Sequence, residues 1–124
     1  DFDPGLTVSV STDTAIEPAA RALGLRVATS FLADRAYDDA GSLVSRKLPG
    51  AVVHDEEQVL QRVLQVLEDR TVTSINGKTL PMRVQSILLH GDTPGAVALA
   101  RTVRRAIEDG GGRVVPMSRC VGSA

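Results

Sequence analysis

Hydrophobic and polar positions follow two different periods along the chain, and the changes of period predict its elements. Short runs of apolar or β-branched residues predict strands at 6–10, 25–31 and 84–89. Apolar residues at helical spacing predict helices at 14–23, 55–67 and 94–108. Strands that alternate with helices are typical of parallel sheets, so the pattern predicts an α/β fold of mostly parallel strands with flanking helices.

Capping residues predict where the three helices begin. Thr14 followed by Glu17 has the spacing of a capping box, and Asp55 predicts the N-cap of the second helix. Thr93 followed by Pro94 predicts the N-cap and first turn of the third helix. The residues of the third helix that we expect to face the core are Val97, Ala100, Val103 and Ile107.

The remaining segments predict turns and connections. Asn76-Gly77, between two short β-rich runs, predicts a hairpin with a type I′ turn beside the main sheet. Residues 113–115 predict a last short strand. Residues 33–54 are long and polar for a connection, and we interpret them either as a solvated loop or as a functional one.

Composition limits the classes of function. The chain has 124 residues, 43% of them hydrophobic, and a formal net charge of −1. These values fit one domain over residues 1–124 and do not favour binding to nucleic acid or to an anionic membrane. No apolar run reaches the ~20 residues that cross a bilayer. The single cysteine, Cys120, excludes a disulfide within the chain, and we expect a reducing, cytoplasmic setting.

Polar side chains follow two of the predicted strands. His90 and Asp92 lie between the strand at 84–89 and the third helix, and Asp34 and Arg35 follow an earlier strand. Functional groups gather at the carboxyl ends of strands in such sheets, so we predict that these side chains share one site. Carboxylates and imidazole can activate water, and arginine can bind a carboxylate through two hydrogen bonds.

Each candidate also has a purely structural interpretation. Asp34 and Arg35 can be part of an ordinary ion-pair network that holds the long loop in place, and Tyr37 can pack within its loop. Asp92 can accept N–H bonds at the helix N-terminus, and His90 can be a hydrogen-bonded core residue. His90 and Asp92 are also residue types that bind divalent metal ions. Two ligands do not complete a site, so we assign no metal to this chain and leave a divalent ion as an open alternative.

Three stretches carry a resemblance to a known family. They are Leu32-Ala33-Asp34-Arg35-Ala36-Tyr37, Gly41-Ser42-Leu43-Val44-Ser45-Arg46, and Leu89-His90-Gly91-Asp92-Thr93-Pro94. In order and spacing they resemble the LamB/YcsF family, the A subunits of bacterial ATP-dependent 5-oxoprolinase. The resemblance covers only the C-terminal half of the family and implies half of a (β/α) barrel like that of carbohydrate deacetylases. Ser30, Leu32 and Leu89 stand where the family often has Glu, Phe and Cys.

The resemblance implies a role in a hydrolase that opens the lactam of 5-oxoproline to give L-glutamate. ATP would be bound by partner subunits B and C, because this chain has no phosphate-binding motif. The candidate residues are catalytic Asp34, His90 and Asp92 and substrate-binding Arg35, Arg46 and Tyr37. We expect Asp34 or Asp92 to be the base and His90 the proton donor. Arg35 or Arg46 would bind the substrate carboxylate.

Other interpretations remain open beside this one. A non-catalytic fragment or scaffold would act by binding itself or partner subunits. Half a barrel has unpaired strand edges, so we expect a homo-oligomer or pairing with a complementary N-terminal half, and no activity from this chain alone. A polysaccharide deacetylase is a third interpretation, from fold analogy only.

Overall fold

Three parallel strands form the main sheet of the computed structural model, which describes residues 3–12 and 14–121. The elements in chain order are β1 (Thr7–Ser11), α1 (Ile16–Ala22), β2 (Arg26–Leu32), α2 (Glu56–Asp69), β3 (Thr71–Thr73), β4 (Thr79–Pro81), β5 (Ser86–Leu88), α3 (Ala96–Asp109) and a short 3₁₀ helix (Met117–Arg119). The strand order is β1-β2-β5, and β3 and β4 form a separate antiparallel hairpin. The predicted α/β fold with parallel strands and flanking helices is confirmed.

The helices cover one face of the sheet. One group of buried side chains joins β1, β2 and α1 through Val10, Val27 and Ala20. A larger group joins β2 to α2 and α3 through residues that include Phe31 and Val63. Because side chains alternate along a strand, Val27 and Phe31 project from the same face of β2. All three helices therefore lie on one side of the sheet, as in one sector of a (β/α) barrel.

The opposite face of the sheet carries the small side chains of Ser9, Ala28, Ser30 and Ser86, followed by Leu32 and Leu88 at the carboxyl ends of β2 and β5. Ser30 of β2 is buried and pairs in register with Ser86 of β5. The hydroxyl oxygens of Ser9 and Ser30 are 2.9 Å apart and hydrogen bonded. In a closed barrel this face would be the interior. Among the strands described, β1 and β5 each have a single neighbour, so the sheet has two open edges.

The second helix begins at its predicted N-cap. Asp55 accepts a hydrogen bond from the Gln58 N–H at 2.9 Å. Val59, Val63 and Val66 follow at helical spacing and are buried. Both the cap and the apolar stripe of α2 are therefore confirmed.

The predicted capping box of the first helix is wrong. The Thr14 hydroxyl donates to the carbonyl of Ser11 at 3.1 Å, and Ala15 is the N-cap without a side-chain hydrogen bond. Glu17 pairs with Arg21 one turn later. The hydroxyl is used to close the turn after β1, so it is not available to the helix.

The predicted start of the third helix is also wrong. Gly95, in the left-handed region with φ of 80°, is the N-cap of α3, and no side chain of residues 3–12 or 14–121 caps the helix. Thr93 contributes only its carbonyl, which accepts the Ala96 N–H at 3.1 Å. Val97 and Ala100 are exposed, contrary to prediction, whereas Val103 is buried and Ile107 packs against the core. The side chains of α3 that pack on the core are Leu99, Val103 and Ile107.

The hairpin of β3 and β4 is confirmed, but its turn type is not. Gly77 has a φ of 87° and Asn76 has a negative φ, whereas a type I′ turn needs positive φ at both positions. The Gly77 N–H donates to the Ser74 carbonyl, and the Ser74 N–H donates to the Lys78 carbonyl. The connection is therefore a three-residue loop that ends on a left-handed glycine.

The long connection after β2 is packed where it begins. Residues 33–37 are buried, and isolated β-bridges join Arg35 to Val52 and Tyr37 to Leu43. The interpretation of the whole segment as a solvated loop is thus wrong for its first part. Residues 45–50 of the same segment are exposed.

The C-terminal segment lies beside the open edge of β5. The predicted strand at 113–115 is not formed. A groove of about 490 Å³ lies between this segment, β5 and α3, and Leu67, Ile87 and Val114 are among its lining residues. No helix within residues 3–12 and 14–121 has both the length and the apolar character needed to cross a membrane.

Candidate active site

Asp34 and His90 meet at the carboxyl ends of β2 and β5. The register pairs Leu32 with Leu88, and the Ala33 N–H donates to the Leu88 carbonyl at 3.1 Å. Asp34 and His90 therefore follow their strands at equivalent positions, and parallel strands bring such positions to one edge of the sheet.

Two hydrogen bonds join this pair. Asp34 Oδ2 accepts the backbone N–H of His90 at 3.0 Å, and Asp34 Oδ1 lies 2.8 Å from His90 Nδ1. The Asp34 side chain is 10% exposed and the His90 side chain is 26% exposed. The carboxylate is therefore held inside the protein, while one edge of the imidazole still meets solvent.

Arg46 contacts the other nitrogen of the same ring. Its Nη2 lies 3.3 Å from His90 Nε2. A guanidinium only donates hydrogen bonds and a carboxylate only accepts them, so the ring proton is on Nδ1, facing Asp34. His90 Nε2 then carries the free electron pair, which makes it the reactive nitrogen of the ring. The structure thus joins three of the candidate residues in one chain of hydrogen bonds.

Arg35 lies apart from this group. It is 8% exposed, and its Nη2 donates to the Val44 carbonyl at 2.8 Å. Its Nε has no hydrogen-bond partner among the described residues. Asp34 pairs with His90, and Arg35 holds the long loop through the Val44 carbonyl, so the two side chains bind different partners.

Tyr37 also lies apart, in the core. It is 1% exposed, and its ring stacks on Phe31 with centroids 5.7 Å apart. Its hydroxyl oxygen accepts the Leu32 N–H at 3.0 Å. Burial raises the pKa of the Tyr37 phenol, and the Leu32 N–H with the charges of Arg62 and Arg35 partly opposes this rise. Its suggested contact with substrate remains a prediction, made for a side chain that the structure places in the core.

Asp92 is exposed on the turn between β5 and α3. In the part of the chain that the structure describes, no hydrogen bond to its carboxylate joins it to His90 or to the start of α3. Its suggested role as base stays a prediction. Among the described residues no side chain caps α3, so the alternative role of Asp92 as a helix cap is not observed.

Arg62 is the residue near this site that the sequence analysis missed. Its Nε donates to the Ala33 carbonyl at 3.0 Å, and its guanidinium carbon lies 5.4 Å from the centre of the Phe31 ring. Burial lowers its pKa, while the nearby Tyr37 and Asp34 act in the opposite direction. The available signal was its position within the buried stripe of α2, where a charged residue needs internal partners.

The described residues do not supply a metal centre. No three His, Cys, Asp or Glu side chains among residues 3–12 and 14–121 are grouped so as to hold a metal ion. Asp34 and His90 alone give two donors, and both interact with each other. Their hydrogen bond is an arrangement that can move a proton.

Known proteins with similar sequences agree on one family. Residues 1–122 match the LamB/YcsF family. The chain is 60% identical over 121 residues to the 5-oxoprolinase A subunit number 2 of Ralstonia nicotianae, and the match covers 98% of this chain and 46% of that protein. It is 57% identical over 122 residues to the 5-oxoprolinase A subunit number 1 of Pseudomonas syringae pv. tomato, with coverage of 98% of this chain and 48% of that protein.

A solved structure gives the same result for the fold. The lactam utilization protein from Thermus thermophilus, a (β/α) barrel, superposes with a TM-score of 0.83 and 34% identity. The match covers 91% of this chain and 44% of that one. The chain spans about half the length of the relatives it matches. Sequence and fold together place it in one group: the chain belongs to the LamB/YcsF family.

Proposed function

We propose that this chain takes part in opening the lactam ring of 5-oxoproline to give L-glutamate, as the C-terminal half of a 5-oxoprolinase A subunit. The observation that carries the proposal is the Asp34–His90–Arg46 chain of hydrogen bonds at the carboxyl ends of two parallel strands. Its support from relatives is the 60% identity to a protein of that name.

Ring opening requires a proton to move twice. The oxygen of water bonds to the ring carbonyl carbon, the ring C–N bond breaks, and the nitrogen takes up a proton. Because both oxygens of Asp34 are bound to His90, we assign the role of base to His90 Nε2 and not to a carboxylate as expected from the sequence. His90 Nε2 accepts the proton of the attacking water and returns it to the leaving nitrogen. Asp34 holds the Nδ1–H and stabilises the ring while it is charged, because both carboxylate oxygens face His90.

Arg46 is the residue that meets the substrate. It lies on the exposed part of the long loop and already contacts the reactive nitrogen. The 5-oxoproline carboxylate is a better partner for a guanidinium than a neutral imidazole nitrogen, because both partners are then charged. Substrate binding therefore draws Arg46 to the carboxylate and frees His90 Nε2 for the reaction. Arg35 is already bound within its own loop and is the weaker candidate.

Coupling to ATP and assembly with subunits B and C belong to the same proposal. The relatives carry the names of A subunits, which supports the existence of partner subunits. In this arrangement the chain supplies acid–base groups and a substrate contact, and the partner subunits bind ATP.

A chimera tests the proposal directly. The matching segment of the Ralstonia nicotianae relative is replaced by this chain, and glutamate release from 5-oxoproline is measured with ATP and the partner subunits. We expect glutamate release, and a loss of about 10²-fold or more in kcat for Asp34→Asn and for His90→Gln. Asp69→Asn, an exposed carboxylate at the end of α2, is the matched control and should leave kcat unchanged. A folded, assembled chimera without glutamate release would contradict the proposal.

The two open edges of the sheet support a second part of the proposal, namely that an N-terminal half completes the barrel. Relatives that match this chain over 46% and 48% of their length have room for a second half. Strand edges with unpaired N–H and C=O groups recruit further strands. The apolar groove beside β5 would receive the neighbouring strand and helix of that half.

A further inference from the structure

Arg62 extends from α2 to the backbone that carries Asp34. Its Nε donates to the Ala33 carbonyl at 3.0 Å, and its Nη2 donates to the Arg35 carbonyl at 2.5 Å. The guanidinium also lies over the ring of Phe31, within the distance of a cation–π contact. One side chain therefore binds the carbonyl groups of the residues before and after Asp34.

The backbone around Asp34 has little freedom as a result. The Asp34 carbonyl accepts the Val53 N–H at 2.9 Å, so three consecutive carbonyls have partners, and Arg62 supplies two of them. On the strand side, the Ala33 N–H donates to the Leu88 carbonyl. Buried carbonyls need such partners, since an unpaired one loses its hydrogen bond to water without replacement. A shift of Asp34 toward or away from His90 would break one of these bonds.

We propose that Arg62 is a positioning residue for the Asp34–His90 pair, because its two hydrogen bonds fix the backbone on either side of Asp34 and so hold the carboxylate against His90 Nδ1. Arginine suits this task because its planar fork donates two bonds in a fixed geometry, which lysine cannot do. The catalytic meaning of the inference rests on the proposed function, whereas the geometry of the pair can be measured without any activity.

The tautomer of His90 is the first readout. Nitrogen NMR shifts distinguish an imidazole protonated on Nδ1 from one protonated on Nε2. The chain has two histidines, and exposed His54 serves as an internal reference in every spectrum. With both rings neutral, we expect His90 to be mainly the Nδ1–H form in the wild-type chain. In Arg62→Met we expect the Nε2–H form to become the major one, while His54 does not change.

Two further variants make the test specific. Arg62→Lys keeps a positive charge near Phe31 and loses the second hydrogen bond, so it should also shift His90 toward Nε2–H. Arg62→Lys is the more conservative substitution, so the tautomer can be measured on it if Arg62→Met does not fold. Arg101→Met makes the same chemical change on the exposed face of α3 and should leave both histidines as in the wild type. A loss of stability with His90 still in the Nδ1–H form would show that Arg62 is only structural and would overturn the inference.

Kinetics in the chimera separate this inference from the proposed function. Arg62→Lys should lower kcat by about 10-fold to 100-fold with an unchanged KM, since misplaced acid–base groups slow the chemical step. An inactive wild-type chimera in which the tautomer shift is still seen would refute the proposed function and support the positioning role. An active chimera with wild-type kcat in Arg62→Lys would overturn the positioning role alone.

Discussion

Asp34 accepts two hydrogen bonds from His90, one from its backbone N–H at 3.0 Å and one from its ring Nδ1 at 2.8 Å. The hydrogen bond to the backbone N–H fixes the position of the His90 main chain. The hydrogen bond to Nδ1 fixes the orientation of its imidazole ring. A histidine held in this way presents Nε2 in one direction, which is the property required of a group that transfers protons.

Arg46 should affect substrate binding more than the chemical step. We expect Arg46→Met in the chimera to raise KM for 5-oxoproline by about 10-fold to 100-fold, because a hydrogen bond to a charged group contributes about 1.5–3 kcal/mol. Lys47→Met, at the neighbouring exposed position, is the control and should leave KM unchanged. Steady-state kinetics check both. An effect on kcat alone would argue against Arg46 as the carboxylate ligand.

Tyr37 should make the protein sensitive to alkali. Burial raises its pKa above the ordinary value near 10, so the folded state keeps the phenol protonated where the unfolded state ionises. This contribution to stability is complete below about pH 10 and is lost as the pH rises toward the folded pKa. Between about pH 8 and about pH 11, the free energy of unfolding measured with urea should fall more for the wild type than for Tyr37→Phe. Equal losses would contradict the assignment.

The same substitution should also cost stability at neutral pH. Tyr37→Phe removes the oxygen that accepts the Leu32 N–H, and a buried donor without a partner costs about 1–3 kcal/mol. Urea unfolding at neutral pH measures this. His54→Gln, an exposed substitution, should change the free energy of unfolding far less, and an unchanged value for Tyr37→Phe would mean that another acceptor replaces the hydroxyl.

The two predicted helix caps should differ in their contribution to stability. Asp55→Ala should lower the free energy of unfolding by about 1 kcal/mol, since its carboxylate caps α2 through the Gln58 N–H. Thr14→Ala should cost less, because the Thr14 hydroxyl does not cap α1. Chemical denaturation of both variants checks this order, and a larger loss for Thr14→Ala would contradict it.

The groove beside β5 should decide pairing with an N-terminal half. Leu67 and Val114 line the groove and are 43% and 44% exposed, so glutamate at either position should leave this chain folded. Co-expressed with the N-terminal half of the Ralstonia nicotianae relative, Leu67→Glu and Val114→Glu should raise Kd at least about tenfold, because a buried unpaired charge opposes association. Ile75→Glu, 43% exposed on the hairpin, is the control. Wild-type binding by the groove variants would exclude this surface.

The sequence predicted the elements whose pattern depends on local chemistry. The apolar stripe of α2 and its Asp55 cap follow from helical spacing and one side-chain bond, and both are found. The start of α3 could not be predicted in this way. Thr93-Pro94 is a good local start for a helix, but the left-handed Gly95 places the N-cap two residues after Thr93. The φ that a glycine adopts depends on the direction the chain takes in the folded protein. The neighbouring residues in the sequence do not determine that direction.

The candidate site, too, could be predicted only in part. The ends of two predicted strands were sufficient to bring Asp34 and His90 together, because parallel strands align their carboxyl ends. They were not sufficient to decide whether Arg35 or Arg46 contacts His90, since both are arginines of one long loop. Only the folded loop shows that Arg35 is buried and that Arg46 reaches the ring. Arg62 was missed because its partners are backbone carbonyls, which leave no signature in the sequence.

The strand order also determines when the site forms during folding. β1, α1 and β2 are close in sequence and can assemble by local contacts, whereas Asp34 and His90 are 56 residues apart. Closing so long a loop costs more chain entropy and is slower than local pairing. We therefore expect the Asp34–His90 pair to be among the last contacts that a refolding chain forms. The environment of the His90 imidazole would then report when β5 pairs with β2 during refolding.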